Sequence, residues 1–209
     1  MVHVKFFGCL LLACLLVVGS SAKADLRAAL SITDGRVSSF YLAIGDHYQV
    51  PEKQIILVKK KEIPDDQLAV VFYLARRANV TPAVILDLRL DGKTWMEITT
   101  HFRLTAEIFY VDIQKVSGPP YGKAHGYFKN KKRKEWASIR LADVDIVNLV
   151  NLRFVSEHWG YSPDEIVKMR EQGQSFIAIS DKVKKEKAAK KDKKTNNSDK
   201  TGSKGKGKK

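Results

Sequence analysis

The chain has 209 residues, with 37 Lys and Arg against 23 Asp and Glu, and only two cysteines. Both cysteines, Cys9 and Cys14, fall in an apolar leader, so the rest of the chain has no disulfide, thiolate nucleophile or cysteine-bound metal. The net charge of +14 is uneven: thirteen lysines and four acids lie from Asp181 onward, so the high pI belongs mostly to the tail.

Met1 to Lys5 is a short basic start, and Phe6–Val18 (FFGCLLLACLLVV) is apolar or small throughout. Gly19, Ser20, Ser21, Ala22, Lys23 and Ala24 follow. That order of basic, apolar and small residues predicts a secretory signal peptide over 1–24, cleaved after Ala22 or after Ala24. The apolar run falls short of the roughly 20 residues a membrane span needs. An uncleaved anchor helix, or a lipoprotein read from Leu12-Ala13-Cys14, is the alternative. The expected location is periplasmic or secreted, with no transmembrane span in the mature chain.

Residues 25–117 read as a helical region. Helices are expected at Val37–Tyr48, Pro51–Lys61, Asp65–Asn79, Pro82–Leu90 and Thr94–Arg103, from apolar residues at helical spacing and from Pro and acid starts. Ala106–Val116 fits helix or strand, because its β-branched and aromatic residues suit either. Further helices are expected at Asp143–Trp159, Pro163–Gln172 and Ser175–Lys187.

The body repeats itself. At a constant offset of 81, Leu74–Ile98 matches Val155–Ile179 without a gap. Thr81-Pro82 faces Ser162-Pro163, Arg89 faces Arg170, Gly92 faces Gly173, Thr94 faces Ser175 and Trp95 faces Phe176. Each pair has a physical role: a capping hydroxyl, a proline at the first helical position, and a glycine able to end a helix in the left-handed conformation. A looser echo lies upstream, where Phe40-Tyr41-Leu42-Ala43 returns as Phe72-Tyr73-Leu74-Ala75. The expected fold class is mainly α, a small helical-repeat body of two helix–turn–helix hairpin copies. The first copy lies within 25–117 and the second within 136–183.

Thr94–Val116 has a cadence that resembles a helix-turn-helix, with a short helix, the turn Arg103-Leu104-Thr105, and a second helix from Ala106. The resemblance implies nucleic-acid binding, and export argues against a role in transcription.

Residues 118–135 read as a Gly/Pro/Lys-rich connector, where Gly118, Gly122, Gly126 and two prolines argue against a regular helix. A phosphate loop fails, because three residues rather than four separate the glycines and Ala124 follows Lys123. The segment is nonetheless the expected ligand-binding platform: Tyr121, His125, Tyr127 and Phe128 supply aromatic faces beside Lys123. An enzyme would place its site here, on His125 and Tyr127.

From Lys184 on, no apolar residue is larger than Ala, which predicts a disordered basic tail over 184–209. Lys131, Lys132, Arg133, Lys184, Lys185, Lys190 and Lys191 are the expected contacts to an anionic envelope polymer or surface. Nucleic acid would be bound without regard to sequence, since the tail has no aromatic to stack on a base. No hydrolase, zinc-protease, dinucleotide or calcium motif occurs, and no two histidines stand at a helical metal spacing. No catalytic residue, cofactor or metal is expected, and a non-enzymatic binding or scaffold role is.

Overall fold

The computed structural model describes residues 35–61, 63–115, 118 and 120–202, and of 35–38 and 192–202 only the backbone. Among the described residues run nine α-helices: α1 Gly35–Tyr48, α2 Glu52–Lys59, α3 Leu68–Ala78, α4 Pro82–Leu90, α5 Trp95–His101, α6 Gly122–Lys129, α7 Asp143–Trp159, α8 Pro163–Glu171 and α9 Phe176–Gly202. Three 3-10 turns, at Asp65–Gln67, Ala106–Phe109 and Arg133–Ser138, join them, and no strand occurs among the described residues. The protein is mainly α. The expected leader at 1–24, with both cysteines, lies outside the described residues.

Two helices form the middle of the core. Leu68 through Ala75 of α3 is apolar on every side, and each of its eight residues is buried. A helix of that kind is stable only when enclosed. It packs against α7, which buries Ile146 to Leu152 without interruption and then Phe154, Val155 and Ser156. Within that buried run the Asn151 amide is held, its Nδ2 donating to the carbonyls of Asp66 (2.6 Å) and Val147 (2.8 Å). This offsets the cost of taking the amide from water. α4 and α5 close over one end of the pair, while α8, α9 and α1 close over the rest.

The repeat seen in the sequence is a repeat of structure. α3 ends at Asn79 and α7 at Gly160, both left-handed (φ 55° and 66°). Each turn is then closed by the same five-residue bond, Val80 N–H to Ala75 O (3.0 Å) and Tyr161 N–H to Ser156 O (3.1 Å). Gly92 and Gly173 end the next helices at φ 85° and 79°. Arg89 lies over the Trp95 ring (4.5 Å) and Arg170 over the Phe176 ring (4.7 Å), and each donates to the carbonyl four residues on, Lys93 or Gln174. The upstream echo shares the closing turn, with Gln49 at φ 55° and Val50 N–H on Gly45 O at 2.9 Å.

The copies differ at both caps: each has one reciprocal box, and Ser175, the counterpart of Thr94, accepts from Ala178 N–H with no carboxylate to return the bond. Ser162 and Glu165 form a reciprocal box (Ser162 N–H to Glu165 Oε2, 2.8 Å), as do Thr94 and Glu97 (2.7 Å). Thr81 has the extended backbone of a cap but accepts no hydrogen bond through its side chain, against expectation. The reciprocal carboxylate is missing, because Val84 stands where the other copy has Glu165. Ser162→Ala and Thr94→Ala should therefore each cost about 1 kcal/mol, while Thr81→Ala costs a few tenths. Urea midpoints compare the three directly.

Three expectations need correction. The connector is helical over Gly122–Lys129, because Tyr121, Ala124 and Phe128 form a buried stripe. Burying two large rings outweighs the roughly 1 kcal/mol that each glycine costs a helix. Over its described residues, 106–115, the Ala106–Val116 segment is neither a regular α-helix nor a strand but a single 3-10 turn followed by chain without regular structure. That chain is held by Asp164 of α8, which accepts from the backbone N–H groups of Gln114 (3.1 Å) and Lys115 (2.8 Å). The helix-turn-helix resemblance at 94–116 therefore lacks its second helix. α9 itself runs to Gly202, so the basic tail expected from Lys184 starts within that helix, which is anchored by the fully buried Val183 and by Tyr161 Oη donating to Glu186 (2.8 Å). Residues 203–209 lie outside the described residues.

Candidate functional site

The aromatic platform expected on the connector is split between core and surface. Tyr121 is fully enclosed and Phe128 nearly so, so neither offers a ring face to a ligand. Phe128 instead belongs to an aromatic trio with Tyr110 and Trp136, whose ring centroids lie 4.6–5.4 Å apart. The Trp136 indole N–H donates to the carbonyls of Phe128 (3.1 Å) and Lys131 (3.2 Å). Lys123 is exposed, and His125 and Tyr127 are half-buried on α6. The Tyr127 ring packs in part against the core, and neither side chain pairs with a carboxylate among the described residues.

The basic positions are also distributed. Lys131 reaches Ser138 Oγ (3.4 Å), Lys132 is exposed at the start of a 3-10 turn, and Arg133 pairs with Glu107 (2.9 Å) while lying over Trp136 (5.2 Å). On α9, Lys184 donates to Ser39 Oγ (2.7 Å) and Lys185 pairs with Asp181 (2.8 Å). Lys190 and Lys191 lie farther along the same helix and are exposed.

The main concentration of positive charge around a concavity lies elsewhere. His47 and Tyr48 at the end of α1, Tyr73, Arg76 and Arg77 of α3, and Arg153 and Glu157 of α7 line a cavity of about 450 Å³. Three arginines face one carboxylate. Arg153 is fixed in place, since its guanidinium donates to the carbonyls of Tyr110 and Ile108 and sits 3.7 Å from Glu157. Tyr73 forms part of the lining; its hydroxyl donates to the Ile108 carbonyl, and Arg77 (5.2 Å) and Arg153 (5.8 Å) lie against its ring. Arg76 and Arg77 are exposed at their helix end, and no carboxylate pairs with either among the described residues.

The tyrosine and histidines there are tuned by enclosure. Burial, reinforced by Tyr73 and Glu157, pushes the Tyr48 hydroxyl well above the ordinary tyrosine value, so it stays a donor. Its oxygen is enclosed without a hydrogen-bond partner among the described residues. Burial, and then the Arg76 charge, hold His47 below the ordinary histidine value. Glu157 lies 3.6 Å away, but it is half exposed and shared with Arg153. Burial, then His47 itself, lower His158, with Lys187 adding and Asp46 opposing. Both rings are thus mostly neutral at pH 7.

Sequence reasoning singled out none of the cavity residues. Arg76-Arg77 was legible as an adjacent cationic pair and Arg153–Glu157 as a pair four apart on a helix. Nothing in the order of residues shows that three helices bring them together. No group of three or more His, Cys, Asp or Glu among the described residues is placed to hold a metal ion, and no described helix is long and apolar enough to cross a membrane. Compared with known proteins, the chain matches no protein family, no curated protein and no solved structure.

Proposed function

We propose that this is an exported, non-enzymatic binding or scaffold protein of the cell envelope, periplasmic or secreted, held to an anionic polymer or surface by its C-terminal helix. The observation that carries the reading is the form of α9. Val183 seats the helix in the core, and beyond it the helix bears exposed Lys184, Lys185, Lys187, Lys190 and Lys191 with no apolar side chain larger than alanine. Such a helix has no core to join and presents its charge to whatever carries the opposite sign. The basic start, apolar run and small residues of 1–24 supply the export half of the argument.

The test is a chain ending at Ala189, which removes nine lysines and two acids and keeps every contact of α9 with the body described above. On vesicles containing anionic lipid, the full mature chain should be retained at low salt and released as salt rises, and the shortened chain should be retained far less. Equal retention of the two chains, or retention indifferent to salt, rules the tether out. Retention on DNA but not on vesicles would move the partner to nucleic acid bound without sequence preference.

A further inference from the structure

We infer that the cleft between the ends of α1 and α3 and the middle of α7 binds a small molecule through a phosphate or carboxylate group, held by Arg76, Arg77, Arg153 and the Tyr48 hydroxyl. The cleft is separate from the lysines of α9 and needs neither the tether nor export to be correct.

Four observations support it. The cavity, about 450 Å³, is within the range of small-molecule sites. Its lining carries three guanidinium groups against one carboxylate, Glu157, an imbalance that leaves positive charge uncompensated. Arg153 is held by backbone carbonyls and by the Tyr73 ring, so it is presented with little further loss of side-chain freedom. Finally, the enclosed Tyr48 hydroxyl, 8 % exposed as a residue, has no partner among the described residues. An enclosed polar group without a partner is costly, and an oxyanion in the cleft would supply the missing acceptor.

A competing account explains the arginines alone. The C-terminal ends of α1 and α3 carry partial negative charge, which favours His47, Arg76 and Arg77 in their last turns. That account leaves the Tyr48 hydroxyl without a role and does not explain Arg153, which lies mid-helix. A planar guanidinium fork matches the two oxygens of a carboxylate or phosphate, and the arginines here lie on two different helices around one hollow.

Calorimetric titration of the full mature chain at fixed ionic strength, with inorganic phosphate in one series and acetate in the other, tests the inference. Saturable binding of one equivalent is expected in at least one series, and the series that saturates tells phosphate from carboxylate. Arg76→Gln with Arg77→Gln should weaken that binding at least about 10-fold, since charge-assisted bonds are the strong ones. Tyr48→Phe should weaken it about 5-fold, the size of one hydrogen bond, and leaves the fold intact because the hydroxyl bonds to nothing among the described residues. Glu157→Gln should tighten it by removing the one opposing charge. The α9 lysines attract anions equally in all of these chains, so their effect cancels in the comparison, and retention on anionic vesicles should not change. Saturation by neither anion, or equal affinity across the wild type, Tyr48→Phe and the arginine pair, overturns the inference.

Discussion

Trp95→Ala should lower the unfolding free energy by about 3–5 kcal/mol, the usual cost of emptying a fully enclosed aromatic site. Trp95 is 0 % exposed and is the largest fully buried side chain among the described residues. Two separate parts of the chain converge on it. Arg89 of α4 covers its ring at 4.5 Å, and its backbone N–H donates to Asp143 Oδ1 at 2.8 Å. The other oxygen of Asp143 pairs with Arg89 at 2.6 Å, and Arg89 also donates to Gln67 Oε1 (3.1 Å). One carboxylate at the start of α7 thus joins the first repeat copy to the second half of the chain.

The repeat supplies the control for this prediction. Phe176 holds the equivalent place in the second copy, under Arg170, and it has no indole N–H. The Trp95 Nε1 is enclosed without a partner among the described residues, so Trp95→Phe removes an unsatisfied donor while keeping most of the ring. A cost below about 1.5 kcal/mol is expected for it, as for a swap that roughly preserves shape. Chemical denaturation of the three proteins settles the matter. If Trp95→Phe proves as damaging as Trp95→Ala, the two aromatic positions are not equivalent in packing.

Ending the chain at Ser180 should have a comparable effect, about 3 kcal/mol, or a fall in Tm of roughly 6–12 °C. Lost are the fully buried Val183, the Tyr161–Glu186 hydrogen bond and the Lys184–Ser39 contact to α1. A buried valine contributes about 1.5–3 kcal/mol and a hydrogen bond about 1. Ending the chain at Ala189 keeps all of these and should stay within about 0.5 kcal/mol of the full chain. Thermal unfolding of the two truncations therefore locates the edge of the folded body. Equal Tm values for them would mean that α9 adds nothing past Ser180.

Much of the helical layout was legible before any coordinates. Pro82–Leu90 and Asp143–Trp159 were expected with the ends the structure has, because their starts and stops are local: proline or acids at the first turn, an αL-capable residue after the last. The Thr94 and Ser175 caps and the left-handed glycines at 92 and 173 were legible for the same reason. The connector helix was not. Gly122 and Gly126 speak locally against a helix, and only the core that receives Tyr121 and Phe128 reverses that preference. The Arg89–Asp143 pair spans 54 positions, and no local rule connects its members.

The sequence by itself determined most of the helices and several of their caps, the repeat at an offset of 81 and the concentration of lysine at the C-terminal end. These depend on neighbours within a few positions, which chain order records directly. Tertiary packing decided the rest. It enclosed Tyr121 and Phe128, which the sequence offered as ligand contacts. It carried α9 beyond Lys184 as a docked helix, and it gathered Tyr48, Arg76, Arg77 and Arg153 around one hollow. The physical reason is that burial and charge balance at a point depend on which distant helices share it.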